Sequence, residues 1–259
     1  MNIVTALSGV VIKELYRRKD FYVLFILTAL ITLVMGSISF FNDARIARYL
    51  KEICLMLIWI SALVIATTTT ARQIPAEREN RTIFPLLAKP VTRWHVVAGK
   101  FLGCWLASGM ALVVFYFFFA VVSGTRDSHW PLLQYAQIVL LHWAMLAVVI
   151  SLTLLGSVIL SAPSSNMTIC LVFVLGILLL GRHLNQVALE QPEPIRSLIY
   201  LVYYVIPHLE WYDVRDLIIY EHKLIAWSDC ALAGLYAFVY SGFLLMGTWL
   251  AFRRKPLHL

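Results

Sequence analysis

The chain carries little charge for its length. Only 14% of its 259 residues are charged, whereas 61% are hydrophobic, and an ordinary soluble domain has about 25% charged residues. Apolar segments take up roughly half of the chain at the length that one membrane span requires, which leaves no room for a second, soluble domain. The composition therefore excludes a soluble globular protein and predicts a polytopic membrane protein.

Motifs of several enzyme classes are missing. The sequence has no GxxxxGK[ST] loop, so it cannot hold ATP phosphates in the way such loops do. HExxH, GxSxG and facing pairs of carboxylates within the apolar segments are missing too. We therefore expect no catalytic residues, metal or cofactor on this chain. If ATP is hydrolysed, ATP and Mg belong to another polypeptide.

Cysteine is scarce and shows no ligand spacing. The four cysteines have no CxxC pattern and fall within apolar segments or at the start of one (Cys54, Cys104, Cys170 and Cys230). Such residues are typical of small packing side chains rather than of disulfides or metal ligands. The polar run His208, Glu210, Asp213 and Asp216 matches no established metal-ligand pattern either.

Six segments are apolar enough to be candidate spans, given that a span needs about 20 residues. They are Phe21–Phe41, Ile53–Ala71, Phe101–Gly124, Leu133–Ser161, Met167–Leu180 with flanking residues, and Ile225–Phe252. A cytoplasmic N-terminus places thirteen of the 21 Lys and Arg residues inside, as the positive-inside rule requires. Both termini are therefore expected in the cytoplasm. The net charge of +7 follows from this bias and from anionic lipid, and does not indicate nucleic acid.

Two further segments are expected to lie at the membrane surface. In residues 1–20, apolar side chains recur at helical spacing (Ile3, Leu7, Val10, Val11 and Leu15) before a basic Arg-Arg-Lys run, which favours a helix in the cytoplasmic interface. Residues 183–228 form a long external segment, in which the apolar run Ser197–Ile206 is too short to cross and ends at Pro207.

A charged island, residues 72–100, separates the second and third spans. Glu77 and Glu79 stand near the start of a predicted helix, where negative charge is favourable. Four apolar residues follow between charges (Ile83, Phe84, Leu86 and Leu87). In a cytoplasmic loop such a cluster must be buried, either against the spans of this chain or against a partner.

The order of this island resembles the cytoplasmic loop of ABC type-2 transporter permeases, such as those serving nitrous-oxide-reductase maturation and related exporters. It has acidic residues, Arg-Thr-Ile, Leu-Leu, Pro-Val-x-Arg and then Gly-Lys. The resemblance implies one all-α integral membrane domain over residues 1–259. That domain would have six transmembrane helices, an N-terminal elbow helix, a coupling helix between spans 2 and 3, and short external helices between spans 5 and 6. The residues that it assigns to ATPase coupling are Glu77, Glu79, Arg81, Thr82, Leu86, Leu87, Pro90, Arg93, Gly99 and Lys100.

Polar residues within the fourth span are candidates for a translocation pathway, because ionisable groups in a membrane are costly. His142 is the central one, with Tyr135 seven residues earlier on the same helix face and Gln137 nearer the outer end. A packing role, as hydrogen-bond partners between helices, is the alternative for these residues.

We therefore expect the permease subunit of an ATP-driven exporter in a bacterial inner membrane. The resemblance implies two copies of an ABC ATPase subunit as partners and a homodimer, or a heterodimer with a second permease, in the lipid bilayer. Two alternatives remain open, namely an integral-membrane enzyme acting on lipid-like substrates and a non-transporting assembly factor. The spans carry no chemical signature that selects a substrate.

Overall fold

A computed structural model describes residues 3–17, 19–37, 44–79, 92–127, 129–160, 162–220 and 222–254. Within these ranges every regular element is helical. In chain order they are α1 (Ile3–Arg17), α2 (Lys19–Ser37), α3 (Ala44–Ala71), α4 (Pro75–Glu79), α5 (Arg93–Asp127), α6 (Leu132–Ile159), α7 (Pro163–Glu190), α8 (Ile195–Val205), a 3-10 turn (Leu209–Tyr212), α9 (Asp216–Ile219) and α10 (Trp227–Arg254).

Four stretches of described helix are long and apolar enough to cross a membrane. They are Arg48–Glu77, Arg93–Asp127, Leu132–Ile159 and Trp227–Arg254. Shorter apolar stretches lie in α2 (Phe21–Val34), α7 (Pro163–Leu179) and α8 (Ile195–Val205). The all-helical, multi-pass class is thus confirmed. Six spans stay a prediction, in which α2 and α7 would be the fifth and sixth membrane-crossing helices. Helix α8 has eleven residues, which are too few to cross a membrane.

The centre of the bundle is α6, which packs against α10, α5 and α3. Its contact with α5 includes two stacked indoles, Trp105 and Trp143, with ring centroids 4.3 Å apart. Each indole N–H donates to the backbone carbonyl of the other tryptophan, at 2.9 and 3.0 Å. Gly109 makes room for this pair, because a Cβ at that position would lie 2.3 Å from Trp143 Nε1.

Helix α1 packs along the first turns of α5. Leu7, Val11 and Leu15 are buried, while Val10 is 60% exposed, so three positions four residues apart form the contact stripe. A Cβ built on Gly103 would lie 2.8 Å from the Cβ of Val11. Small residues allow such close helix approach. The predicted N-terminal helix therefore exists, and its position at a membrane surface stays a prediction.

Three of the four threonines at the end of α3 donate to carbonyls of the preceding turn, whereas the buried Thr69 Oγ1 has no hydrogen-bond partner in the described part of the chain. Thr67 Oγ1 donates to the carbonyl of Leu63 at 2.8 Å, and Thr70 Oγ1 to that of Ala66 at 2.7 Å. Bonds to the preceding turn let hydroxyls lie in an apolar environment without an outside partner. All four cysteines are buried free thiols.

Candidate functional site

The two described parts of the charged island, residues 72–79 and 92–100, lie at one end of the bundle, because α4 follows the end of α3 and Arg93 begins α5. Glu77 lies in the first turn of α4, as predicted. Glu79 ends that helix, and nothing is described of its side chain. Five of the other predicted coupling residues lie outside the described residues (Arg81, Thr82, Leu86, Leu87 and Pro90).

A buried ion pair joins the two ends of the island. Lys100 Nζ lies 2.5 Å from Glu77 Oε1, and the two side chains are 5% and 20% exposed. Lys100 also donates to Gln73 Oε1 at 2.9 Å, and the Gln73 amide donates to Glu14 Oε2 of α1 at 3.2 Å. A buried charge needs partners of this kind to offset its desolvation. The resulting cluster, Glu14, Gln73, Glu77 and Lys100, links α1, the end of α3, α4 and α5; we call it the foot cluster.

Two more predicted coupling residues connect the N-terminal turns of α5 to α10 and α1. Arg93 donates to the backbone carbonyls of Phe252 and Arg253, the latter at 2.8 Å, and its guanidinium lies 5.4 Å from the Phe252 ring centroid. A cation is favourable at the end of α10, where carbonyls lack helical partners. One turn and a half further along α5, the carbonyl of Gly99 accepts a bond from the Ser8 hydroxyl of α1 at 3.1 Å.

At the opposite end of the bundle, a charged pair from the predicted external segment reaches the second span. Arg215 donates to both carboxylate oxygens of Asp213, at 2.7 and 3.0 Å, and lies 5.6 Å from the ring centroid of Trp59 on α3. Burial opposes the charge of Arg215, but the bonds to Asp213 and its negative charge outweigh burial and raise the pKa of the guanidinium. The pair is therefore a fixed, ionised contact.

A cavity of about 390 Å³ lies beside this pair, between α3 and α7. Its walls are mainly apolar, and its polar end consists of charged residues from 209–216. The lining residues are Met56, Trp59, Ile60, Leu175, Leu178, Leu179, Glu210, Asp213 and Arg215. Leu175 and Leu179 are 44% and 71% exposed, so the cavity opens on the surface of the protomer.

The three predicted pathway residues are all buried, and each makes contacts of its own. His142 bonds through Nδ1 to the Tyr116 hydroxyl at 3.3 Å, and its ring centroid is 6.0 Å from that of Trp59. Gln137 bonds through both amide atoms to the backbone of Ile225, at 2.7 and 3.1 Å, as an interhelical packing residue would. Tyr135 lies against Phe119, with ring centroids 6.3 Å apart. Their assignment to a pathway stays a prediction.

The sequence did not single out the polar residues that line the cavity. In the sequence, Glu210, Asp213 and Arg215 belong to the external segment expected at the membrane surface, and Trp59 lies within the second predicted span. A mixture of rings and charges after Pro207 was the available signal. It did not show that the segment folds back onto α3 and α7.

A comparison with protein families agrees with this architecture. The model of a family described as ABC-2 family transporter protein matches residues 32–256, which is most of the chain. No curated protein matches the sequence. The chain belongs to the ABC-2 transporter family, and it is a multi-pass membrane protein of the kind that forms the transmembrane subunit of an ABC transporter.

Proposed function

We propose that the chain is the permease of an ATP-driven exporter and that residues 72–100 dock a separate ATPase subunit. The foot cluster carries this proposal. It buries a lysine and a glutamate at the two ends of the island and connects them to α1 and to α3. A force applied to the island therefore acts on several helices at once, which is what an external ATPase requires of its membrane partner.

We further propose that two permease protomers, identical or related, work with two ATPase subunits in a bacterial inner membrane, with both termini in the cytoplasm. The cavity between α3 and α7 supports a dimer, because it opens on the protomer surface and a second protomer would enclose it. Alternating closure around a site near the middle of a membrane is a general mechanism of transport.

Docking is tested with the Leu86-Leu87 pair. An ATPase encoded beside this chain, and recognised by its GxxxxGK[ST] loop, is co-expressed and purified through a tag on the permease. Apolar anchors of interfaces contribute about 2 kcal/mol or more each. Leu86→Asp with Leu87→Asp is therefore expected to release the ATPase while the permease stays inserted and dimeric.

The matched control replaces a Leu-Leu pair in the first turn of α6. Leu132 and Leu133 are 67% and 56% exposed in the first turn of α6, where aspartate is compatible with the helix, and they lie at the end of the bundle away from the island. The same double change there should leave the ATPase bound. Full ATPase retention by the Leu86/Leu87 variant would refute the docking proposal and favour the enzyme or assembly-factor alternative.

A further inference from the structure

Arginines from distant parts of the chain meet where α10 ends and α5 begins. Arg93 donates to the backbone carbonyls of Phe252 and Arg253, so the last two residues of α10, Arg253 and Arg254, lie next to the first turn of α5. The side chains of Arg253 and Arg254 are exposed, and neither forms an ion pair within the part of the chain that the structure describes. We call these three residues the arginine cluster.

The helices that meet at this cluster carry their acidic residues at the opposite end of the bundle. Asp127 ends α5, Glu190 ends α7 and Asp229 lies in the first turn of α10, while α6 contains no acidic residue. At the end of the bundle that holds the arginine cluster, the described acidic side chains Glu14 and Glu77 already belong to the foot cluster. The described residues therefore leave the positive charge of Arg253 and Arg254 uncompensated.

Aromatic rings beside the arginine cluster indicate the depth of a lipid headgroup. The guanidinium of Arg253 lies 5.7 Å from the ring centroid of Trp249, and Trp94, the second residue of α5, is 44% exposed. Tryptophan is enriched at the boundary between membrane and water. A guanidinium that stacks on a ring keeps its N–H groups available for an anion. The cluster thus combines an interfacial position with donors that suit a phosphate.

An exposed apolar stripe runs along α10 and ends at this cluster. Its residues follow one another at intervals of three or four and are 43% to 72% exposed (Leu235, Val239, Phe243, Met246 and Leu250). Residues at this spacing share one face of a helix, and Arg254 continues the face four positions after Leu250. Fifteen residues of helix span about 22 Å, whereas the hydrocarbon of one leaflet is about 15 Å thick. The stripe is therefore long enough for the acyl chains of one leaflet.

We propose that the arginine cluster and the apolar stripe of α10 together bind an anionic phospholipid. Its phosphate contacts Arg253 and Arg254, and its acyl chains lie along the stripe. A zwitterionic lipid carries its own ammonium group, whereas an anionic lipid has a net negative charge that complements the arginines. In the predicted topology this lipid belongs to the cytoplasmic leaflet. The inference concerns a site away from the cavity and does not depend on the proposed transport function.

The test is native mass spectrometry of the full chain, purified in detergent and mixed with equal amounts of dioleoyl phosphatidylglycerol and dioleoyl phosphatidylcholine. The two lipids have the same acyl chains and differ in net charge. Each basic residue near an anionic lipid surface changes affinity about fivefold, so two arginines should give about a twentyfold preference for phosphatidylglycerol. Equal retention of the two lipids by the wild-type chain would overturn the proposal without the use of any variant.

Charge-matched variants then locate the site. Arg253→Gln with Arg254→Gln should abolish the preference, so that the two lipids are retained about equally. The control, Arg196→Gln with Lys223→Gln, also removes two positive charges, but in the predicted external segment, where Arg196 lies 5.7 Å from the ring centroid of Tyr200. It should keep the wild-type preference. An unchanged preference in the Arg253/Arg254 variant would refute the site, and an equal loss in both variants would show that only the overall charge matters.

Three further measurements exclude other occupants. Glycerophosphoglycerol, the water-soluble headgroup, should not displace the lipid, and displacement would show that the arginines bind a phosphate without help from the stripe. The Arg253/Arg254 variant should retain a co-expressed ATPase, and release of the ATPase with lipid preference intact would identify a protein partner instead. The same spectra report the oligomeric state, which should not change. Dissociation of a dimer without loss of lipid would show that a second protomer covers this face of α10.

Discussion

Removal of the Lys100 ammonium should destabilise the chain, because the largely buried carboxylate of Glu77 then loses its cationic partner. In Lys100→Met the stem of the side chain is kept, but the 2.5 Å contact with Glu77 and the 2.9 Å bond to Gln73 are lost. Breaking a buried pair by removing one partner costs about 3–5 kcal/mol. Because the Glu77 side chain is 20% exposed and retains some solvent, we expect the lower part of this range.

The double variant Lys100→Met, Glu77→Leu distinguishes an ion pair from simple packing. Replacing both charges by apolar groups is often close to neutral, so the double variant should be more stable than Lys100→Met alone. The expected coupling free energy is about 1–3 kcal/mol. The assay is reversible unfolding of the purified chain in mixed micelles, followed by circular dichroism. Strictly additive effects would refute the claim that these side chains stabilise each other.

Two further predictions follow from the fold. Gly103→Ala should lower the free energy of unfolding by about 1–3 kcal/mol, because the added methyl group overpacks against α1. Gly176 has open space around it, so Gly176→Ala should leave the free energy of unfolding unchanged or raise it by up to about 1 kcal/mol. Equal effects of the two changes would contradict the close contact of α1 and α5. The topology is tested with single cysteines placed in a variant without the native cysteines. A cysteine at Glu193 or at Asp216 should react with a membrane-impermeant maleimide in intact cells, whereas a cysteine at Glu79 should react only after lysis. Labelling at Glu79 alone would show that the orientation is inverted.

The helices were predictable from the sequence because their signals are local. Apolar length marks the spans, and the change to charge at Arg72 marks where the second one ends. Gly99 and Gly103 stand four residues apart in the sequence, a spacing of small residues that favours a close helix approach. They did not identify the partner, which is α1, because a four-residue spacing shows which face of a helix is small and not what packs against it.

The cavity was not predictable for a different reason. The contact between Arg215 and Trp59 joins residues far apart in the chain, and its existence depends on how the segment after Pro207 folds back. In the sequence, Glu210 and Asp213 are indistinguishable from acidic residues that face water. Only the folded chain shows that Glu210 Oε2 is buried with no hydrogen-bond partner among the described residues.

The reciprocal bonds of Trp105 and Trp143 determine where this protein can change shape. Separating α5 from α6 would expose two indole N–H groups and two carbonyls to lipid, and each unsatisfied group there costs several kcal/mol. These helices therefore behave as a single rigid body during a transport cycle. Sliding is easiest where helices meet mainly through apolar side chains, and the walls that α3 and α7 contribute to the cavity are mainly apolar. The seam at which this fold should slide most easily therefore borders the cavity between α3 and α7.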